Sequence, residues 1–154
     1  MRNISDVIEA YLKQIIQSTN SDVIEIKRSE IADRFECVPS QINYVINTRF
    51  TVEKGYIVES KRGGGGYIRI IRLRPKSKHQ LIDEMLSLSE NKLTQQAGLD
   101  LIERLFEEKL LTEREAKLMC KVMHRDVLTI PLPLRDTVRA NIFHQLLMML
   151  KIYD

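Results

Sequence analysis

The sequence predicts a mainly helical, α+β chain built as two units: an N-terminal group of helices closed by a β-hairpin, and a C-terminal helical bundle. Three observations carry that reading. Apolar residues recur at three- and four-residue steps over most of the chain. The pattern switches to period two on either side of Gly63-Gly64-Gly65-Gly66. Pro75 to Lys78 is a polar, proline-bearing break. We therefore expect units at 1–74 and 80–154 with a linker at 75–79.

The elements follow in order. Ile4, Val7, Ile8, Tyr11, Leu12, Ile15 and Ile16 make an amphipathic first helix, entered after Asn3 or Ser5 and ending near Ser18-Thr19-Asn20. The β-branched run Val23, Ile24 and Ile26 is too short for a helix and predicts a strand over Val23 to Lys27. Ser29 is expected to cap a second helix around Ile31, Ala32 and Phe35, which stops before Pro39 because the residue preceding a proline avoids helical geometry. Pro39 is suited to open a third helix, with Ile42, Val45 and Ile46 facing inward at i, i+3 and i+4. Tyr56 to Ser60 and Tyr67 to Ile71 then flank the glycine tip as a hairpin. Helix, strand, helix, turn, helix, hairpin is the winged helix-turn-helix arrangement, with the hairpin as wing.

Past the linker, Leu81, Ile82, Met85, Leu86 and Leu88 make one helix, and Leu99, Ile102, Leu105 and Phe106 lie in a second. A capping box of Thr112 with Glu115 opens a third, expected to run to Val127. After Ile130-Pro131-Leu132-Pro133, a final helix carries Val138, Ile142, Phe143, Leu146, Leu147, Met149 and Leu150 over much of its circumference. So much apolar surface on a small bundle predicts self-association.

Composition narrows the function. The chain has 154 residues, 44% of them hydrophobic, enough to bury a core. No signal peptide is expected from Met1 to Tyr11, and no apolar run reaches a membrane span. Cys37 and Cys120 form no CxxC pair, which fits a reducing cytoplasm. Cys120 and His124 stand at i and i+4, yet two ligands do not make a metal site. No nucleophile elbow, HExxH, P-loop or GxGxxG is present, so neither catalysis nor a cofactor is expected. The formal charge is only +3, but acidic and basic residues balance beyond Pro75, so the excess lies wholly in the first half. Lys61, Arg62, Arg69, Arg72, Arg74, Lys76 and Lys78 form a stretch without an acidic residue, a cationic stripe.

Those features converge on duplex DNA. Ser40, Gln41, Asn43, Tyr44, Asn47 and Thr48 are set outward on the third helix, with side chains suited to hydrogen bonding on major-groove base edges; a merely solvated face would look the same. Arg28 and Arg49 bracket the helix pair where phosphate backbones pass in such folds. Four glycines exceed what a tight hairpin needs. Gly63, Gly64, Gly65 and Gly66 would let the backbone enter a minor groove while Lys61 and Arg62 meet its negative potential, the alternative being a loose solvent loop. Two other classes stay open at this stage: an adaptor that binds proteins through its helical half, and a ligand or metal sensor on the same DNA-binding unit.

The segments IKRSEIADRFECVPSQINYVINTRF and GYIVESKRGGGGYIRIIR, with TEREAKLM and DTVRANIFHQLLMML further on, closely resemble the CtsR family of class three stress-gene repressors. The resemblance spans essentially the whole chain. It implies a cytoplasmic homodimer that binds tandem-repeat operators ahead of protease and chaperone genes and lets go on heating. It further implies that the wing tip Gly63 to Gly66 senses temperature, that Arg62 is a phosphorylation candidate, and that a protein arginine kinase and a Clp protease act on the protein.

Overall fold

The computed structural model describes residues 3–61 and 66–153. Its class is the expected one, helices with a small antiparallel sheet. The chain divides into two compact units, Met1–Arg74 and Pro75–Asp154.

In the first unit, helix α1 (Ile4–Ser18) starts on an Asn3 cap whose side chain accepts from the Asp6 N–H. Its buried residues Ile8, Leu12 and Ile16 recur every four positions, one stripe on one face. Strand β1 (Val23–Lys27) runs directly into α2 (Arg28–Arg34). The expected Ser29 cap does not occur. The helix begins two residues earlier, on a Lys27 cap position without a side-chain bond, and the Arg28 N–H is met by the Gly66 carbonyl at 3.5 Å. Glu36, at φ 52°, turns the chain, and Pro39 opens α3 (Pro39–Arg49). Ile42, Val45 and Ile46 are buried as their spacing predicts.

Strands β2 (Tyr56–Lys61) and β3 (Tyr67–Arg72) complete an antiparallel sheet in the order β1-β3-β2. In the pairing, Ile70 stands opposite Ile24 on one side and Val58 on the other. Ile68 and Ile70 of the central strand are fully buried and share one core with Ile8, Leu12, Ile42 and Val45. The sheet's other face carries Glu25, Arg69 and Glu59 side by side in register. Packed under the helices in this way, the sheet fixes the root of the hairpin beside the N-terminal end of α2.

The second unit comprises α4 (Lys78–Leu88), α5 (Gln95–Glu107), α6 (Glu113–Val122) and α7 (Leu134–Ile152) around Leu81, Ile82, Met85, Leu101, Ile102, Leu105, Phe143 and Leu147. The reciprocal capping box of Thr112 and Glu115 is present. Helix α6 ends at Val122 and not at Val127. The Met123 carbonyl is taken by the buried Arg139 Nε at 2.8 Å, and the Val127 and Leu128 N–H groups turn back to His124 O. Arg139 also donates to Leu93 O and Asp136 Oδ1, so one guanidinium ties three segments. On α7, Phe143 and Leu147 are buried, whereas Met148, Met149 and Ile152 stay exposed. Among the described residues, no helix is long and apolar enough to cross a membrane.

Candidate nucleic-acid interface

Burial on one side of α3 by Ile42, Val45 and Ile46 leaves Ser40, Asn43, Tyr44, Asn47 and Thr48 exposed on the other. The Thr48 hydroxyl donates to Tyr44 O at 2.7 Å and so belongs partly to its own helix. Gln41 is half-buried, and its amide donates to Ser5 Oγ at 2.7 Å, tying α3 to the first turn of α1.

Arg28 sits where helix and wing meet. Its Nε donates to Asn43 Oδ1 at 2.6 Å, its Nη2 to Ser60 Oγ at 3.0 Å, and its Nη1 to Gly66 O at 3.2 Å. One side chain thereby spans α3, strand β2 and the residue that leads into β3. Gly66 has φ +70°, the left-handed region that favours glycine, and a Cβ there would lie 3.4 Å from Arg28 Nη1.

Arg49 is half-buried and turned toward α1. Its Nη1 lies 2.8 Å from Glu9 Oε1 and 2.9 Å from Asp6 Oδ1, so its charge is satisfied by two carboxylates of α1. Hydrogen bonds to Glu9 and Asp6 hold the guanidinium more firmly protonated. Burial alone would raise the Glu9 carboxyl, but Lys13 and Arg49 outweigh it and keep it below its ordinary value.

The cationic stripe is also less continuous than the sequence suggests. Arg69 pairs with Glu25 at 2.9 Å and with Glu59 at 3.8 Å, and Arg74 pairs with Asp22. Lys61, at the end of β2, is exposed. Arg62, Gly63, Gly64 and Gly65 lie outside the described residues.

In the second unit, Cys120 and His124 line an open apolar groove of about 490 Å³ between α5 and α6, together with Leu99, Ile102, Phe106 and Ala116. Burial, with Glu103 nearby, pushes the Cys120 thiol up. No group of three or more His, Cys, Asp or Glu suited to a metal ion occurs among the described residues.

Two helices about a tight turn, the second with an exposed polar face and a hairpin pinned beside it, define a winged helix-turn-helix protein of the nucleic-acid-binding class. Comparison with known proteins is specific. The CtsR N-terminal HTH domain matches residues 3–74 and the CtsR C-terminal dimerization domain residues 77–148. A transcriptional regulator CtsR of Geobacillus stearothermophilus is 60% identical over 151 residues, 98% of this chain and 99% of that protein. One from Bacillus subtilis (strain 168) is 57% identical over 150 residues, covering 97% of each. A crystal structure of CtsR in complex with a 26bp DNA duplex superposes with a TM-score of 0.94 at 59% identity, over 99% of this chain and 100% of the other. The chain belongs to the CtsR family.

Sequence reasoning found Arg28 and Asn43 separately but not their bond, and it missed Ser5, Asp6, Glu9 and Ser60 as partners. Of these, only Asp6 and Glu9 carried a signal: two carboxylates three residues apart, on one face of α1.

Proposed function

We propose that this chain is a transcriptional repressor that binds operator DNA as a homodimer. The observation that carries this reading is the exposed polar face of α3, Ser40, Asn43, Tyr44, Asn47 and Thr48, held against the wing root by Arg28. Helix α3 enters the major groove, and Lys61, Arg62 and the tip Gly63 to Gly66 enter the neighbouring minor groove. Arg28 sits near the phosphates at the junction and retains two N–H donors beyond the three it uses. Arg49 is left out of the interface because Glu9 and Asp6 hold it. No catalytic step is assigned.

Apolar side chains left uncovered on the second unit, Phe106, Leu118 and Val122 among them, support pairing of two copies through α5 and α6. A dimer presents two α3 helices and suits the tandem-repeat operators of protease and chaperone genes. Heat release follows from the wing: warming raises the entropic cost of holding four glycines in a groove, so the wing disengages before the fold melts. Phosphorylation of Arg62 by a protein arginine kinase would replace a groove-seeking cation with an anion, and a Clp protease would then remove the released protein. On this reading the protein acts in the cytoplasm.

The test is binding of the purified protein to random duplex and to a selected library at several salt concentrations and temperatures, beside Arg62→Ala and Gly64→Ala. Steep salt dependence, an enriched repeated motif, loss of affinity on Arg62→Ala and a shifted release temperature on Gly64→Ala are expected. Weak, sequence-blind binding indifferent to Arg62 would overturn the reading in favour of a protein-binding adaptor.

A further inference from the structure

We infer that Arg28 is a positioning residue that fixes the direction of the Asn43 carboxamide, so that Asn43 presents its amino group as a donor to an acceptor on a base edge. The inference deepens the DNA-binding reading and rests on it.

A guanidinium only donates. The Asn43 atom 2.6 Å from Arg28 Nε is therefore the amide oxygen, and the side-chain orientation is settled without seeing hydrogens. The Nδ2 group is left facing away from Arg28 on the exposed side of α3. Arg28 is itself held at its other end by Ser60 and Gly66, and its planar fork cannot swing to follow one partner without leaving the others. Hairpin and amide are thus set by the same group.

The consequence is a specificity. An unrestrained asparagine reads adenine with two bonds, accepting from the N6 amino group and donating to N7. With Arg28 on one lone pair of Oδ1 and the carboxamide's direction thereby fixed, Nδ2 is the less encumbered end, and donation is the presentation favoured. Guanine, whose N7 and O6 both accept, fits it better than adenine. Asn43 becomes a reader that presents its donor first, and Arg28 decides this without touching the base.

The experiment is selection from a randomised duplex library with the full-length protein, wild type beside Asn43→Ala, Asn43→Asp and Arg28→Ala. Wild type is expected to favour guanine over adenine at one position of the motif by about tenfold. Asn43→Ala should erase that preference while the rest of the motif persists; Arg28→Ala should erase it at the same position too, with weaker binding overall because the hairpin root is released as well. Asn43→Asp keeps an oxygen for Arg28 but offers only acceptors outward, so its preference should move to a base bearing an amino group, cytosine or adenine. Should Arg28→Ala fold poorly, Asn43→Asp still carries the test. Arg28→Ala weakening all sequences alike while the Asn43 position stays sharp would overturn the inference, as would an unmoved preference in Asn43→Asp. A wild type that enriches no motif would instead defeat the DNA-binding reading beneath it.

Discussion

Arg49, at the last turn of α3, donates to Glu9 on α1 across 2.8 Å. The same Nη1 reaches Asp6, so the C-terminal end of α3 is anchored to α1 from within the molecule. Arg49 is 28% and Glu9 17% exposed, so the pair is only partly screened by water. Arg49→Ala is expected to destabilise the first unit by about 1 to 2 kcal/mol. The slope of log affinity against log salt for DNA should stay unchanged at a temperature where the variant is folded. A slope smaller by about one would restore Arg49 as a phosphate contact. Chemical denaturation and a salt titration distinguish the two.

The same pair gives a pH dependence. The folded-state Glu9 carboxyl lies below its ordinary value because Lys13 and Arg49 together outweigh the effect of burial. A depressed acid stabilises the fold above its unfolded pKa, and that stabilisation is lost as pH falls through the folded one. Stability should therefore hold from neutrality to the ordinary carboxylate range and decline below it. Glu9→Gln should be less stable than wild type at pH 7, with the difference closing as the medium approaches pH 3 by unfolding titration. A constant difference at both pH values would mean that Glu9 acts through packing.

Residues whose partners are near in sequence were legible. The stripes Ile8, Leu12, Ile16 and Ile42, Val45, Ile46 set the helices, the β-branched run set β1, and Thr112 with Glu115 announced the start of α6. What escaped depended on partners far along the chain. Helix α2 needs no Ser29 cap because the Gly66 carbonyl, 38 residues away, lies by Arg28. Helix α6 stops early because Arg139 of α7 takes its terminal carbonyl. The basic stripe looked unopposed until the register brought Glu25 and Glu59 beside Arg69. Arg28 and Arg49 stand out in the sequence as charges at the helix ends, yet their bonds follow only from the folded backbone.

Two glycines separate conformational need from mere presence. Gly66 is left-handed and its carbonyl accepts from Arg28, so Gly66→Ala both strains the backbone by about 1 kcal/mol and crowds the guanidinium. It should weaken DNA binding through the wing root. Gly98 lies buried inside α5 without a positive φ, and an added Cβ would meet Leu93, Met123 and Arg139 at 3.5 to 3.7 Å, ordinary contact. Gly98→Ala should stabilise the second unit by about 0.5 to 1 kcal/mol through the unfolded chain's lost freedom. Denaturant midpoints for both variants check the contrast; destabilisation by Gly98→Ala would show that the site has no room to give.

Helix α6 offers the sharpest handle on assembly. Met119 and Met123 point into the unit's core, while Leu118 and Val122, one turn apart, are 57% and 50% exposed. Phe106 of α5 is exposed too and lines the apolar groove beside α6. Two such helix pairs related by a two-fold axis would close over one another as a four-helix arrangement, each copy covering the other's apolar face. Leu118→Glu with Val122→Glu places like charges on both sides of that axis without disturbing the core residues beneath. The double variant should sediment as a folded monomer at concentrations where wild type is dimeric, and its operator affinity should fall at least about tenfold because the two α3 helices no longer act together. A variant that remains dimeric by ultracentrifugation would move the interface to the exposed Met148, Met149 and Ile152 of α7, where the corresponding glutamates would then be the ones to separate the copies.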